Sequence, residues 1–270
     1  MKNSETASNL QQILNSVGVK NRFDELLDNS SASFISSILT IVRSNSKLQE
    51  CSSNSILSAA GIAAALKLPI NPSLGFAYIV PYKNQAQFQI GWRGLVQLAM
   101  RSGLYATLNA GAVREGQIRE IDFITGEIVR GDKISDKVVG YVAYMELLNG
   151  FRKSLYMTIE EIQAHAEKYS QSYAYDLRSG KKSSVWSTNF DAMAKKTVLK
   201  RLLSSFGIMS IDQKGSDLAR ALQADQAVVT EGGLRYIDNE PDGEEKIVPF
   251  EEIIGLKKVS DDEKNTDAEN

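Results

Sequence analysis

One cysteine and one histidine, Cys51 and His165, in 270 residues close off several chemistries at once. The chain cannot carry an internal disulfide framework, and it lacks the ligands of a multi-cysteine zinc site. Cys51 lies at the head of an alanine-rich stretch and reads as a small buried residue. No apolar run approaches the roughly 18 residues of a membrane span. The opening MKNSETASNLQQ has neither a signal-peptide core nor its cleavage pattern, so a cytoplasmic protein is expected. Neither a Walker-type phosphate loop nor a glycine-rich dinucleotide turn is present. Glu160 and Glu161 read as first-turn helix residues that complement the dipole, and His165 as a structural or surface residue. No catalytic or metal site is expected.

What the sequence does have is segregated charge. The net value of -2 hides 25 Lys and Arg against 18 Asp and Glu up to Gly215, then 6 against 15 from Ser216 onward. A basic body followed by an acidic tail points to a polyanionic partner, or to a tail that occupies the partner's place in its absence. The tail as a simple solubiliser stands as the other reading.

Patterning divides the chain into three parts. Residues 1–45 read as helical and partly flexible, with most of the first 20 flexible. Within them Phe34, Ile35, Ile38, Leu39 and Val42 recur at helical spacing, a stripe suited to oligomerisation or to ordinary core packing. Residues 46–215 read as a basic α+β core, a mainly antiparallel sheet built from hairpins with helices packed on it. From Leu74 the period changes to two, and turns fall at Lys83-Asn84-Gln85, Thr125-Gly126 and Asn149-Gly150. Thr158 and Glu161 form a capping box. The polar stretch from Gln171 to Ser187 reads as a mobile loop, followed by a long helix from Ser187 or Thr188 to Gly207. Residues 216–270 read as an acidic, largely flexible tail containing one apolar patch, IVPFEEIIGL.

The cations carry the functional signal. On the long helix, Lys196 and Lys200 lie four apart beside Lys195 and Arg201, where like charges repel unless an anion neutralises them. Other basic residues flank aromatic ones: Trp92-Arg93, Arg101, Arg152-Lys153, and Lys181-Lys182 ahead of Trp186. Lys and Arg near aromatics, without a sequence-reading helix, suit backbone-led binding of single-stranded nucleic acid. Trp92 is otherwise a core residue beside Phe88 and Ile90. Gln87 and Gln89, on the alternate face of that strand, either bond to nucleic-acid backbone or face a covering helix.

The run LPINPSLGFAYIVPYKNQAQFQIGWRGLVQLAMRSG closely resembles the RecT family of phage single-strand annealing proteins. Two further blocks, KVVGYVAYMELLNGFRKSLYMTIEEIQAHAEKYS and WSTNFDAMAKKTVLKRLLSSFGIMS, agree in order and spacing. The resemblance covers roughly Ala59 to Ser210. It implies an ATP-independent protein of homologous recombination that binds single-stranded DNA, assembles into rings or filaments, and pairs complementary strands in the bacterial host cell. By motif position it implies phosphate contacts at Arg93, Arg101, Arg152, Lys153, Lys196, Lys200 and Arg201; Lys181 and Lys182 fall where the family varies. It implies a phage exonuclease as partner, with a host single-strand-binding protein as a further candidate, no resident cofactor, and magnesium as an open question. A magnesium-dependent nuclease and a passive single-strand binder are the rival readings.

Overall fold

The computed structural model describes residues 2–208, 213–230 and 233–236; the patch IVPFEEIIGL, residues 247–256, lies outside the described residues. The chain opens with helices α1 (Lys2–Asn15), α2 (Val17–Leu27), α3 (Ser31–Ser44), α4 (Ser46–Gln49) and α5 (Ser53–Ala65). The first residues thus form a helix where the sequence suggested flexibility. Leu10 and Leu14, four apart and therefore on one face, are wholly buried and anchor it. The apolar stripe of α3 is also turned inward: Phe34, Ile38, Ile41 and Val42 are buried within this one chain. Helix α5 is rich in alanine because it packs closely, with Ala59, Ala60, Ala63 and Ala64 all sealed from solvent.

Strands β1 (Ala77–Tyr82) and β2 (Gln85–Ile90) pair antiparallel in the register Tyr82↔Gln85 to Ala77↔Ile90. The two-residue turn needs a left-handed backbone, which Lys83 supplies at φ 51°. Helix α6 (Trp92–Arg101) follows at once, framed by two glycines with a steric duty. A Cβ on Gly91 would land on the carbonyl of Gly75, and one on Gly94 on the carbonyl of Phe76. The glycines of QIGWRG are there because a neighbouring backbone passes against them.

The central sheet has the order β3-β6-β7, from β3 (Tyr105–Arg114), β6 (Val138–Leu147) and β7 (Arg152–Thr158). Between β3 and β6 the chain projects an arm, β4 (Ile118–Ile121) paired with β5 (Ile128–Arg130). All of these ladders are antiparallel, and with the helices they make the α+β fold expected from the pattern. Helix α7 (Ile159–Tyr169) starts at the capping box: Thr158 Oγ1 accepts from Glu161 N at 3.2 Å and Glu161 Oε2 from Thr158 N at 2.8 Å.

The stretch from Gln171 to Ser187, read as a mobile loop, is instead two helices, α8 (Gln171–Ser179) and α9 (Val185–Thr188). Asp176, 2% exposed, gathers the connection between them. Its carboxylate accepts from Ser183 N, Ser183 Oγ, Ser184 N and Ser187 Oγ at 2.7–2.9 Å. Helix α10 (Phe190–Phe206) then crosses one face of the central sheet. Its Ala194, Val198, Leu199, Leu202 and Leu203 are fully buried in the same core as Tyr141, Ala143, Met145 and Met157. Each fully buried leucine contributes about 2 kcal/mol by leaving water. Asn189 caps α10, so that the helix begins two or three residues later than expected. Helix α11 (Gln213–Ala224) and the hairpin β8 (Ala227–Thr230)–β9 (Gly233–Tyr236) complete the described chain, with β8 beside β2 and α5.

Candidate functional site

Where α7, β7 and α10 meet, the surface opens into two adjoining cavities that share His165 and Arg201. One, about 430 Å³, is lined by Tyr156, Met157, Glu161 and Lys168 as well. The other, about 300 Å³, reaches Lys196, Lys200, Trp186 and Asp225. Helical spacing explains the convergence. Glu161, His165 and Lys168 share one face of α7, while Lys196, Lys200 and Ser204 share one face of α10.

The cleft is cationic. Arg201 reaches only the thioether sulfur of Met157, at 3.7 Å, and forms no ion pair among the described residues. Burial pushes the His165 imidazole below its ordinary value of 6.5, and the charges of Arg201 and Lys200 push it the same way. Both effects favour the neutral imidazole. Its ring lies 4.6 Å from that of Tyr169.

The inner end of the cleft holds a buried charge cluster. Asp225, 1% exposed, accepts from Lys196 Nζ at 2.9 Å and, through its other oxygen, from Lys200 Nζ at 2.7 Å. Its Oδ1 also accepts from the backbone N–H of Ile90 at 3.0 Å. Burial alone would raise the carboxyl, but the two ammonium groups together hold it below the usual carboxylate range. Burial pulls Lys196 down from its ordinary value, and Asp225 opposes that pull. One carboxylate thus faces two lysines.

The remaining sequence-predicted residues are dispersed. Gln87 is 1% exposed and lies inside the protein, with Nε2 unpaired; Gln89 is half-buried. Burial thus settles the inward face for Gln87. Trp92 is partly buried against the core, and Arg93 lies 5.6 Å from its ring while donating to Leu74 O at 3.2 Å. Arg101 donates to Leu66 O at 2.6 Å and Lys67 O at 2.8 Å, closing the C-terminal end of α5. Lys153 donates to Thr125 O and so ties down the β4–β5 arm, whereas Arg152 is exposed. Lys181 and Lys182 are exposed on the α8–α9 connection, Lys181 beside the Tyr175 ring at 5.7 Å. Lys195 pairs with Asp191 at 2.7 Å.

Of the expected cations, the cleft thus collects Lys196, Lys200 and Arg201. It adds His165, read from sequence as structural or surface, and Lys168 and Asp225, which sequence reasoning missed. The spacing of Lys168 from Glu161 and His165 on one helix was the available signal for the first. Nothing local marks Asp225, 25 residues beyond Lys200. Among the described residues no group of three or more His, Cys, Asp and Glu is gathered as metal ligands would be. Nor is any helix among them long and apolar enough to cross a membrane.

With this geometry in view, the comparisons are specific. A family model, described as the RecT family, matches residues 32–244. The uncharacterized protein YqaK of Bacillus subtilis (strain 168) is 36% identical over 246 residues, 90% of this chain and 83% of that one. Protein RecT of Escherichia coli (strain K12) is 30% identical over 218 residues, 74% of this chain and 77% of that one.

Proposed function

Because the chain belongs to the RecT family, a placement that supports a role in recombination by strand annealing, we propose that it is an ATP-independent protein that binds single-stranded DNA and pairs complementary strands. The observation that carries this reading is the cleft between α7 and α10, where Lys168 and Arg201 face open space beside the partly exposed Lys200 and Arg201 has no carboxylate partner among the described residues. Lysine and arginine grip phosphates without reading bases, which pairing of arbitrary sequences requires. Neutralising two phosphate chains lowers the repulsion that keeps them apart, and the bases supply the pairing energy. Copies assembled along a strand multiply contacts that are weak singly. In this reading the partners are single-stranded DNA, the annealed duplex, further copies of the chain and an exonuclease that supplies the strands, with a host single-strand-binding protein as an additional contact.

The test is a fluorescence annealing assay with the purified full chain, complementary oligonucleotides and no ATP. Faster pairing than in buffer alone is expected. Slowed pairing would make the protein a passive binder, and shortened strands in magnesium would make it a nuclease.

A further inference from the structure

We propose that Asp225 is a displaceable internal counter-anion, and that backbone phosphates of nucleic acid take its place between Lys196 and Lys200. The proposal deepens the reading above and rests on it. Four observations converge. First, the Asp225 carboxylate presents two oxygens to two ammonium groups at 2.9 and 2.7 Å, the geometry in which a phosphate diester would present its own two free oxygens. Second, this cluster does not close off into the core: Lys200 keeps 31% of its side chain exposed and opens onto the cleft that also holds Arg201 and His165.

Third, Asp225 arrives from the C-terminal part of the chain, where negative charge dominates, onto the basic body. Helix α11 is anchored in the core by Leu218, Ala221 and Ala224, whereas the connection that follows it is fastened by a short set of bonds. Ile90 N donates to Asp225 Oδ1 at 3.0 Å, and Gln226 N donates to Phe88 O at 3.0 Å, along the edge of β2. Fourth, the fastening is strained. Gln226 sits at φ 70°, a left-handed conformation that disfavours residues with a side chain. Release of the segment relieves that strain, so the closed arrangement is poised to open. A strand entering the cleft supplies phosphates in place of the carboxylate, and the Asp225–Gln226 connection between α11 and β8 lifts from β2. The device sets a threshold: a single short anion competes poorly with a tethered carboxylate, whereas a polymer brings many phosphates at once.

The experiment is hydrogen–deuterium exchange on the wild-type full chain, alone and with a single-stranded oligonucleotide whose binding is followed by anisotropy. The amides of Ile90 and Gln226 are expected to exchange at least several-fold faster in the complex. Exchange that stays the same or slows while DNA binds overturns the proposal. A second arm uses inorganic phosphate at the same phosphate concentration; equal acceleration there overturns the assignment to nucleic acid. In parallel, Asp225→Asn is expected to bind the oligonucleotide several-fold more tightly, and equal or weaker binding by the folded variant counts against displacement. The exchange arm stands even where that variant fails to fold. Wild-type protein that binds no single-stranded DNA at all would overturn the functional reading as well, an outcome distinct from binding without opening.

Discussion

The ammonium of Lys153, near the start of β7, donates to the backbone carbonyl of Thr125 at 2.6 Å and lies 5.3 Å from the ring of Phe206. One side chain thereby joins the tip of the β4–β5 arm, the edge of the central sheet and the end of α10. Gly126 permits the approach: its φ is +73°, and a Cβ there would come within 3.1 Å of Lys153 Nζ. Replacing Lys153 by Met is expected to speed amide exchange across residues 118–130 about tenfold or more, the loss of a roughly 1.5–3 kcal/mol charge-assisted bond. Exchange in α5 should not change.

Asp176 gives the α8–α9 connection its shape, and the expected consequence is acid sensitivity. Burial opposes ionisation there, but the hydrogen bonds from Ser183, Ser184 and Ser187 hold the carboxyl far below its ordinary value of 3.8. A depressed carboxylate contributes its stability fully above the unfolded value and loses it as pH falls through the folded one. Asp176→Asn should lower the melting temperature at pH 7 by about 5 °C, and the difference from wild type should shrink below about pH 3. Thermal unfolding followed by circular dichroism reads both.

His165 is the chain's one histidine, so its imidazole resonance can be titrated without assignment. Around it stand Arg201 and Lys200 on α10, Glu161, Lys168 and Tyr169 on α7, Tyr156 on β7, and Asp225. In the free protein its midpoint should lie below 6.5. The unfolded chain then takes the proton first, so this group's contribution to stability is present above 6.5 and falls as pH drops. Phosphates in the cleft should raise the midpoint. By linkage, DNA binding should then strengthen as pH falls. A midpoint unmoved by saturating oligonucleotide would place the DNA elsewhere.

Lys168 and Arg201 line the same cleft and carry no ion pair among the described residues. Replacing both by alanine should weaken single-strand binding and flatten its salt dependence, each phosphate no longer neutralised taking about 0.7 from the slope. Anisotropy titrations at several salt concentrations give that slope.

Gly94 is expected to tolerate no side chain. An alanine Cβ would meet the Phe76 carbonyl and, at 2.8 Å, Ile90 Cγ1, both in well-packed surroundings. Gly94→Ala should cost about 2–3 kcal/mol in urea unfolding, whereas Gly103→Ala, with open space around its Cβ position, should cost less and only through its φ of +67°.

Features written in neighbouring residues were legible in the sequence. The period-two runs, the Asn149-Gly150 turn and the Thr158–Glu161 box each depend on contacts a few positions apart, and the hairpins and α7 follow from them. The first helix was not legible, because Leu10 and Leu14 are the sparse apolar marks of a polar stretch, held by packing from elsewhere. The α8–α9 segment was not legible either, since its order comes from Asp176 reaching residues seven to eleven positions on. The basic character of α10 was plain, but the partner of Lys196 lies 29 residues away and that of Arg101 lies 34 to 35 residues away. Sequence located the positive charge; only the three-dimensional arrangement separates the cations already engaged within the fold from those still facing open space.

Cys51 is 1% exposed, and burial, with a smaller contribution from Glu50, pushes its thiol up to about 11. With no other sulfhydryl in the sequence, two copies have no accessible thiol with which to become covalently stapled, even in air-oxidised buffer. Any assembly these subunits form is therefore not stapled by a disulfide through Cys51.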